Sequence, residues 1–197
     1  MSALPKKNHR EMTEEEYLAF ERASQFKHEY RNGEVVDMTG ASERHNLISG
    51  STYVALYSQL RGRPCKVYTN DMRVKVRQAR LYTYPDIAAV CGDARFSDDT
   101  FDMLINPTII IEVLSPSTET YDRGEKFQNY RKLVSLQEYV LISQVSPHIE
   151  RFTRQDNDQW LLTEAKGLDA VIELTSIGCT LKLAEVYEQI DFSDTAP

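Results

Sequence analysis

The segment Thr108 to Leu114 (TIIIEVL) constrains this chain more than any other. It is an apolar, β-branched run of strand length, bounded by Pro107 and Pro116, and it carries an acid in its interior. Burying an unpaired carboxylate costs several kcal/mol, so Glu112 needs a partner. Alternation along a strand puts Ile110, Glu112 and Leu114 on one face and Ile109, Ile111 and Val113 on the other. A second run, Asp86 to Val90 (DIAAV), opens with an acid directly after Pro85 and reads as a neighbouring strand. If the two carboxylates meet about 5 Å apart at one sheet end, their repulsion at an effective dielectric near 20 is roughly 3 kcal/mol. A divalent cation removes that penalty, and Mg²⁺ suits it, being commonly held by one or two carboxylates and substrate phosphates. The bland alternatives are a core acid paired with an arginine at 112 and a strand-opening residue at 86.

The flanking sequence supplies the rest of a mixed α/β chain. Thr13 with Glu16 forms a capping-box pattern before a short amphipathic helix. Asn32-Gly33 between Phe26–Arg31 and Glu34–Met38 is the chain's best hairpin signal. A second helix starts near His45 and runs to Leu60. The spacing predicts a further helix over Asp122–Val134, with Phe127, Tyr130 and Val134 toward the core, followed by an apolar strand, Glu138 to Gln144. Strand, helix and strand in that order form a crossover unit, for which parallel pairing is expected. A hairpin around Asp156-Asn157-Asp158, a strand at Val171–Leu174, a closing helix over Ala184–Ile190 and a frayed tail over residues 191–197 complete the reading.

Charge and composition bound the function. The chain of 197 residues carries a net charge of −7, which disfavours a protein that coats nucleic acid without specificity. Residues 61 to 80 nevertheless hold seven basic residues against one acid. Within them Met72, Val74 and Val76 alternate with Arg73, Lys75 and Arg77, the pattern of a strand with one wet face, suited either to neutralising nucleic-acid phosphates or to protecting a solvated edge. No apolar stretch is long enough to span a membrane and the N-terminal residues lack an apolar signal core, so a cytoplasmic protein without a membrane partner is expected. Cys65, Cys91 and Cys179 have no paired spacing and read as reduced thiols. With eight glycines and no GxGxxG, GxSxG or GxxxxGK, the chain offers no dinucleotide site, serine-hydrolase elbow or phosphate loop.

Tyr84-Pro85-Asp86-Ile87-Ala88, then Ile111-Glu112-Val113-Leu114-Ser115-Pro116-Ser117-Thr118, then Asp122, Lys126 and Tyr130, then Glu138-Tyr139 before an apolar strand, resemble the Uma-two restriction endonuclease family, itself similar to the PD-(D/E)XK nucleases. The likeness runs from about Thr13 to Ile142. It implies one restriction-endonuclease-like α/β (α+β) domain over residues 1–197, with a mixed central β-sheet flanked by helices. The core would span about 13–145 and the C-terminal hairpin and closing helix 146–190. It implies Asp86 and Glu112 as catalytic metal ligands for Mg²⁺ or Mn²⁺, with the Val113 carbonyl as a third. Where the superfamily pattern places a lysine two residues past the second acid, this chain has Leu114. The resemblance implies that Lys126, on the following helix, would take over that role. His45 and Glu34 match family positions that would complete the site. The implied activity is metal-dependent hydrolysis of DNA phosphodiester bonds, with DNA as partner; the sequence does not set the oligomeric state, although nucleases that cut both strands often work as homodimers. A catalytically silent nucleic-acid- or protein-binding domain of the same fold is the competing class.

Overall fold

The computed structural model describes residues 10–192, so residues 193–197 of the tail lie outside it. After β1 (Arg10–Glu11), Thr13 caps α1 (Glu14–Ala23) with the full reciprocal capping box. β2 (His28–Arg31) and β3 (Glu34–Asp37) form the hairpin, its turn made by Asn32 and Gly33 at φ +48° and +111°. These are the positive values an Asn-Gly turn of this kind demands. Ser42 caps α2 (Glu43–Leu60), and β4 (Cys65–Thr69), β5 (Arg73–Val76), β6 (Leu81–Thr83), β7 (Ile87–Cys91), β8 (Met103–Leu104) and β9 (Ile109–Val113) follow. A continuous helical stretch comes next: α3 (Glu119–Tyr121), a π-helical turn over Asp122–Lys126, and α4 (Phe127–Tyr130). The chain then forms β10 (Glu138–Ile142), β11 (His148–Arg154), β12 (Trp160–Lys166), β13 (Val171–Leu174), β14 (Cys179–Lys182) and α5 (Leu183–Val186).

Among the described residues the strands form two six-stranded sheets and a small two-stranded one. The central sheet, in order β12-β11-β10-β9-β7-β4, is mixed: β9 and β10 pair in parallel across the helical crossover and its other neighbours are antiparallel. On one face, Ile109, Ile111 and Val113 pack against Ile48 and Leu56 of α2 and against the C-terminal elements. On the other, Ile110 and Leu114 pack with Phe127, Tyr130 and Leu133 and with Val74, Val76 and Leu81 of the N-terminal sheet, β1-β3-β2-β6-β5-β8. Glu112 lies on this second face, where the two sheets and the crossover helix meet.

Three expectations are corrected. Val134 is 83% exposed, because the helix ends at Tyr130 and Leu133 and Leu136 take the core positions instead. Cys65 and Cys91 are joined in a disulfide: they face each other in the β4–β7 register, which their sequence spacing does not reveal. Cys179 is the free buried thiol. The Arg73, Lys75, Arg77 face is not wet either. α1 covers it, so Arg73 is buried at 5% exposure, donating to the Tyr84 hydroxyl at 2.9 Å, and Lys75 turns to Glu14 at 3.5 Å. Arg77 alone of the three is exposed, past the end of β5.

Candidate active site

Register builds the acidic pair. Ile87 faces Ile111 and Ala88 faces Ile110 in the antiparallel β7–β9 ladder, which sets Asp86, one residue before β7, opposite Glu112. Asp86 Oδ2 accepts the Val113 N–H at 2.7 Å, and the Asp86 N–H lies 3.4 Å from Glu112 Oε2. His45, in the first turn of α2, places Nε2 3.1 Å from Asp86 Oδ2. Burial disfavours its charged form, but Asp86 outweighs it and the imidazole is held above its ordinary pKa.

The crossover helix supplies the cation. Ser115 braces the turn between β9 and α3: its hydroxyl accepts from the Thr118 N–H at 3.2 Å and its carbonyl from the Glu119 N–H at 2.9 Å. The π turn then brings Asp122, Lys126 and Tyr130 onto one face, a wide-turn device frequent at functional sites. Lys126 is only 6% exposed, with Nζ 2.8 Å from Glu112 Oε1, 3.3 Å from Asp122 Oδ1 and 3.5 Å from Glu29 Oε1. Tyr130 donates its hydroxyl to Glu112 Oε1 at 3.0 Å, and Tyr139 donates to the Asp122 carbonyl at 3.0 Å. Burial raises the Glu112 carboxyl; Lys126 pulls it down, while Asp122 and Asp86 add to the rise and leave it pushed up to about 8. Burial works against the Lys126 ammonium, yet Glu112, Tyr130, Glu29 and Asp122 hold it well above the ordinary lysine range.

The hairpin contributes Glu29, which the sequence did not single out, rather than Glu34. Glu34 lines a surface cleft at the turn with Arg31, Asn32 and Arg80. Glu29 is buried at 4% exposure. Burial tends to raise its carboxyl, but Lys126, Arg31 and the Thr83 hydrogen bond hold it below the ordinary glutamate value.

Around this centre the carboxylates of Glu29, Asp86, Glu112 and Asp122 gather about Lys126, Arg31 and His45, and Asp122 Oδ1 has no partner closer than the Lys126 ammonium at 3.3 Å. Carboxylate oxygens gathered in this way are hard donors and fit a divalent cation such as Mg²⁺ or Mn²⁺, whose charge would favour the ionised form of Glu112. A second group with metal-ligand chemistry among the described residues, His148, Glu150 and Glu164 on β11 and β12, is already satisfied. Glu150 pairs with Arg123, and Glu164 with Lys166 and His148 at 2.9 Å each.

The fold is restriction-endonuclease-like. The Uma2 family, described as "Putative restriction endonuclease", matches residues 14–184, and the chain belongs to it. Two proteins of Synechocystis sp. (strain ATCC 27184 / PCC 6803 / Kazusa) are similar: slr1290 is 34% identical over 181 residues, covering 92% of this chain and 94% of its own. The other, sll1609, is 34% identical over 164 residues, covering 83% and 93%. Both carry the description "Uncharacterized protein". The crystal structure of a "putative nuclease belonging to DUF820" from Anabaena variabilis ATCC 29413 shares the fold at a TM-score of 0.75 and 17% identity, covering 90% of this chain and 98% of that one. Among the described residues no helix is long and apolar enough to cross a membrane.

Proposed function

We propose that this chain is a metal-dependent endonuclease that hydrolyses DNA phosphodiester bonds, with Asp86, Glu112 and the Val113 carbonyl holding Mg²⁺ or Mn²⁺ and Lys126 as the catalytic cation. The observation that carries the reading is the placement of Lys126 Nζ 2.8 Å from Glu112, on the face where β9 sets Glu112 opposite Asp86. When bound, the ion supplies a water of lowered pKa and offsets charge on the phosphate under attack. Lys126 stabilises the negative charge that develops on the phosphoryl oxygens, where a fixed buried cation is worth far more than one in water. Tyr130 fixes the Glu112 carboxylate, and His45 orients that of Asp86. Of Arg73, Lys75 and Arg77, Arg77 remains exposed to meet backbone phosphates. Cutting both strands of a duplex calls for two such centres, which a two-fold homodimer would supply.

The test is cleavage of supercoiled plasmid by purified protein with Mg²⁺ or Mn²⁺, alongside Asp86→Asn and Glu112→Gln. The reading expects metal-dependent nicking by the wild type and its loss in both variants. Absence of cleavage with either ion would instead favour a silent binding domain of the same fold.

A further inference from the structure

Lys126 reaches the acidic pair from the crossover helix, yet part of its grip comes from the other sheet. Glu29 stands on β2 of the N-terminal sheet, and both its oxygens are engaged. Oε2 accepts from Arg31 Nε at 3.0 Å and Nη2 at 2.6 Å, while Oε1 accepts the Thr83 hydroxyl and faces Lys126 Nζ at 3.5 Å. Arg31 in turn lies over the Tyr121 ring, 3.6 Å from its centroid. A lysine side chain loses much of its rotamer freedom when fixed, so three carboxylates from three elements converging on one ammonium define a rigid position.

We infer that Glu29 is a positioning residue for Lys126, and that the N-terminal hairpin is thereby part of the catalytic centre. Held by Arg31 and Thr83, Glu29 sets where the cation stands relative to Glu112, and it is not one of the metal ligands proposed above. The inference rests on the nuclease reading only for its kinetic consequence. The placement itself is testable without catalysis.

Two measurements decide it. The first follows the side-chain ammonium of Lys126 by NMR in protein with isotope-labelled lysines, metal-free. A buried, three-fold paired ammonium gives a slowly exchanging signal in the wild type; Glu29→Gln should broaden or erase it, and Glu29→Asp should retain part of it. An unchanged Lys126 signal in folded Glu29→Gln overturns the inference whether or not the protein cleaves DNA. The second is a double-mutant cycle on single-turnover cleavage. Glu29→Gln should lower the rate about tenfold or more, with Mn²⁺ and DNA affinities within about twofold, and should add nothing in a Lys126→Met background, because residues that act as a unit are non-additive. Equal losses in both backgrounds would mark Glu29 as a structural acid and overturn the proposal. Should Glu29→Gln fail to fold, Thr83→Val removes one restraint from the same carboxylate while leaving its charge, and both measurements are read on that variant with the same signs.

Discussion

Asp86 stands opposite Glu112 across the β7–β9 ladder, its carboxylate bonded to the Val113 N–H at 2.7 Å and its own N–H 3.4 Å from Glu112 Oε2. Two acids held so close by backbone register should respond to a divalent ion as a unit. Mg²⁺ or Mn²⁺ is expected to raise the melting temperature of the wild type, as any ligand of the folded state does, and to leave Asp86→Asn almost unmoved. Thermal melts with and without metal check this; an equal shift in both proteins would place the ion elsewhere.

The Glu112 carboxyl, raised by burial to about 8, gives the metal-free chain a definite pH dependence. A carboxyl whose folded pKa lies above its unfolded one binds its proton more tightly when folded. Its contribution is fully present below the ordinary glutamate value and lost as pH rises toward about 8. Without metal, denaturant midpoints should therefore fall between about pH 5 and 8, and Glu112→Gln should flatten that slope. A slope unchanged in Glu112→Gln would assign it to another group.

The buried Arg73 and the exposed Arg77 should behave oppositely. Arg73→Ala removes a buried guanidinium that donates to the Tyr84 hydroxyl and lies against the Tyr17 and Tyr84 rings, and is expected to cost about 3 kcal/mol, whereas Arg77→Ala should stay within about 0.5 kcal/mol. Chemical denaturation of the two variants measures this directly, and similar costs would contradict the burial that separates them.

The Cys65–Cys91 bond clamps edge strand β4 to β7 and closes a loop of sequence separation 26. A link of that span is worth roughly 3 kcal/mol through the unfolded state. Reduction, or Cys65→Ser, should lower the unfolding midpoint accordingly, and a midpoint insensitive to reductant would show that the strand pairing needs no link.

How much of this was legible beforehand follows from the range of the forces involved. The strands around Asp86 and Glu112, the Asn32-Gly33 hairpin and the parallel crossover were readable because local pattern and turn chemistry determine them. Helical spacing placed Lys126 at the margin of the buried face one turn before Tyr130, but its role came from the family resemblance, which expects a cation where Leu114 stands. Glu29 was not: in HEYR it is one polar residue of an alternating strand, and only the packing of one sheet against the other buries it against Lys126. The same long-range packing misled the reading of Arg73, since alternation distinguishes two faces but does not say that α1 covers the second. The disulfide depended on the β4–β7 register, which neither cysteine's neighbours encode.

The central claim is that the buried cation beside Glu112 serves the chemistry rather than only the fold. Single-turnover cleavage of DNA at saturating Mn²⁺, wild type against Lys126→Met, tests it most directly. The account predicts a rate lower by about 10²-fold or more in Lys126→Met, with metal and DNA affinities nearly intact, because the interaction is made chiefly in the transition state. A folded Lys126→Met protein that cleaves as fast as the wild type would contradict it.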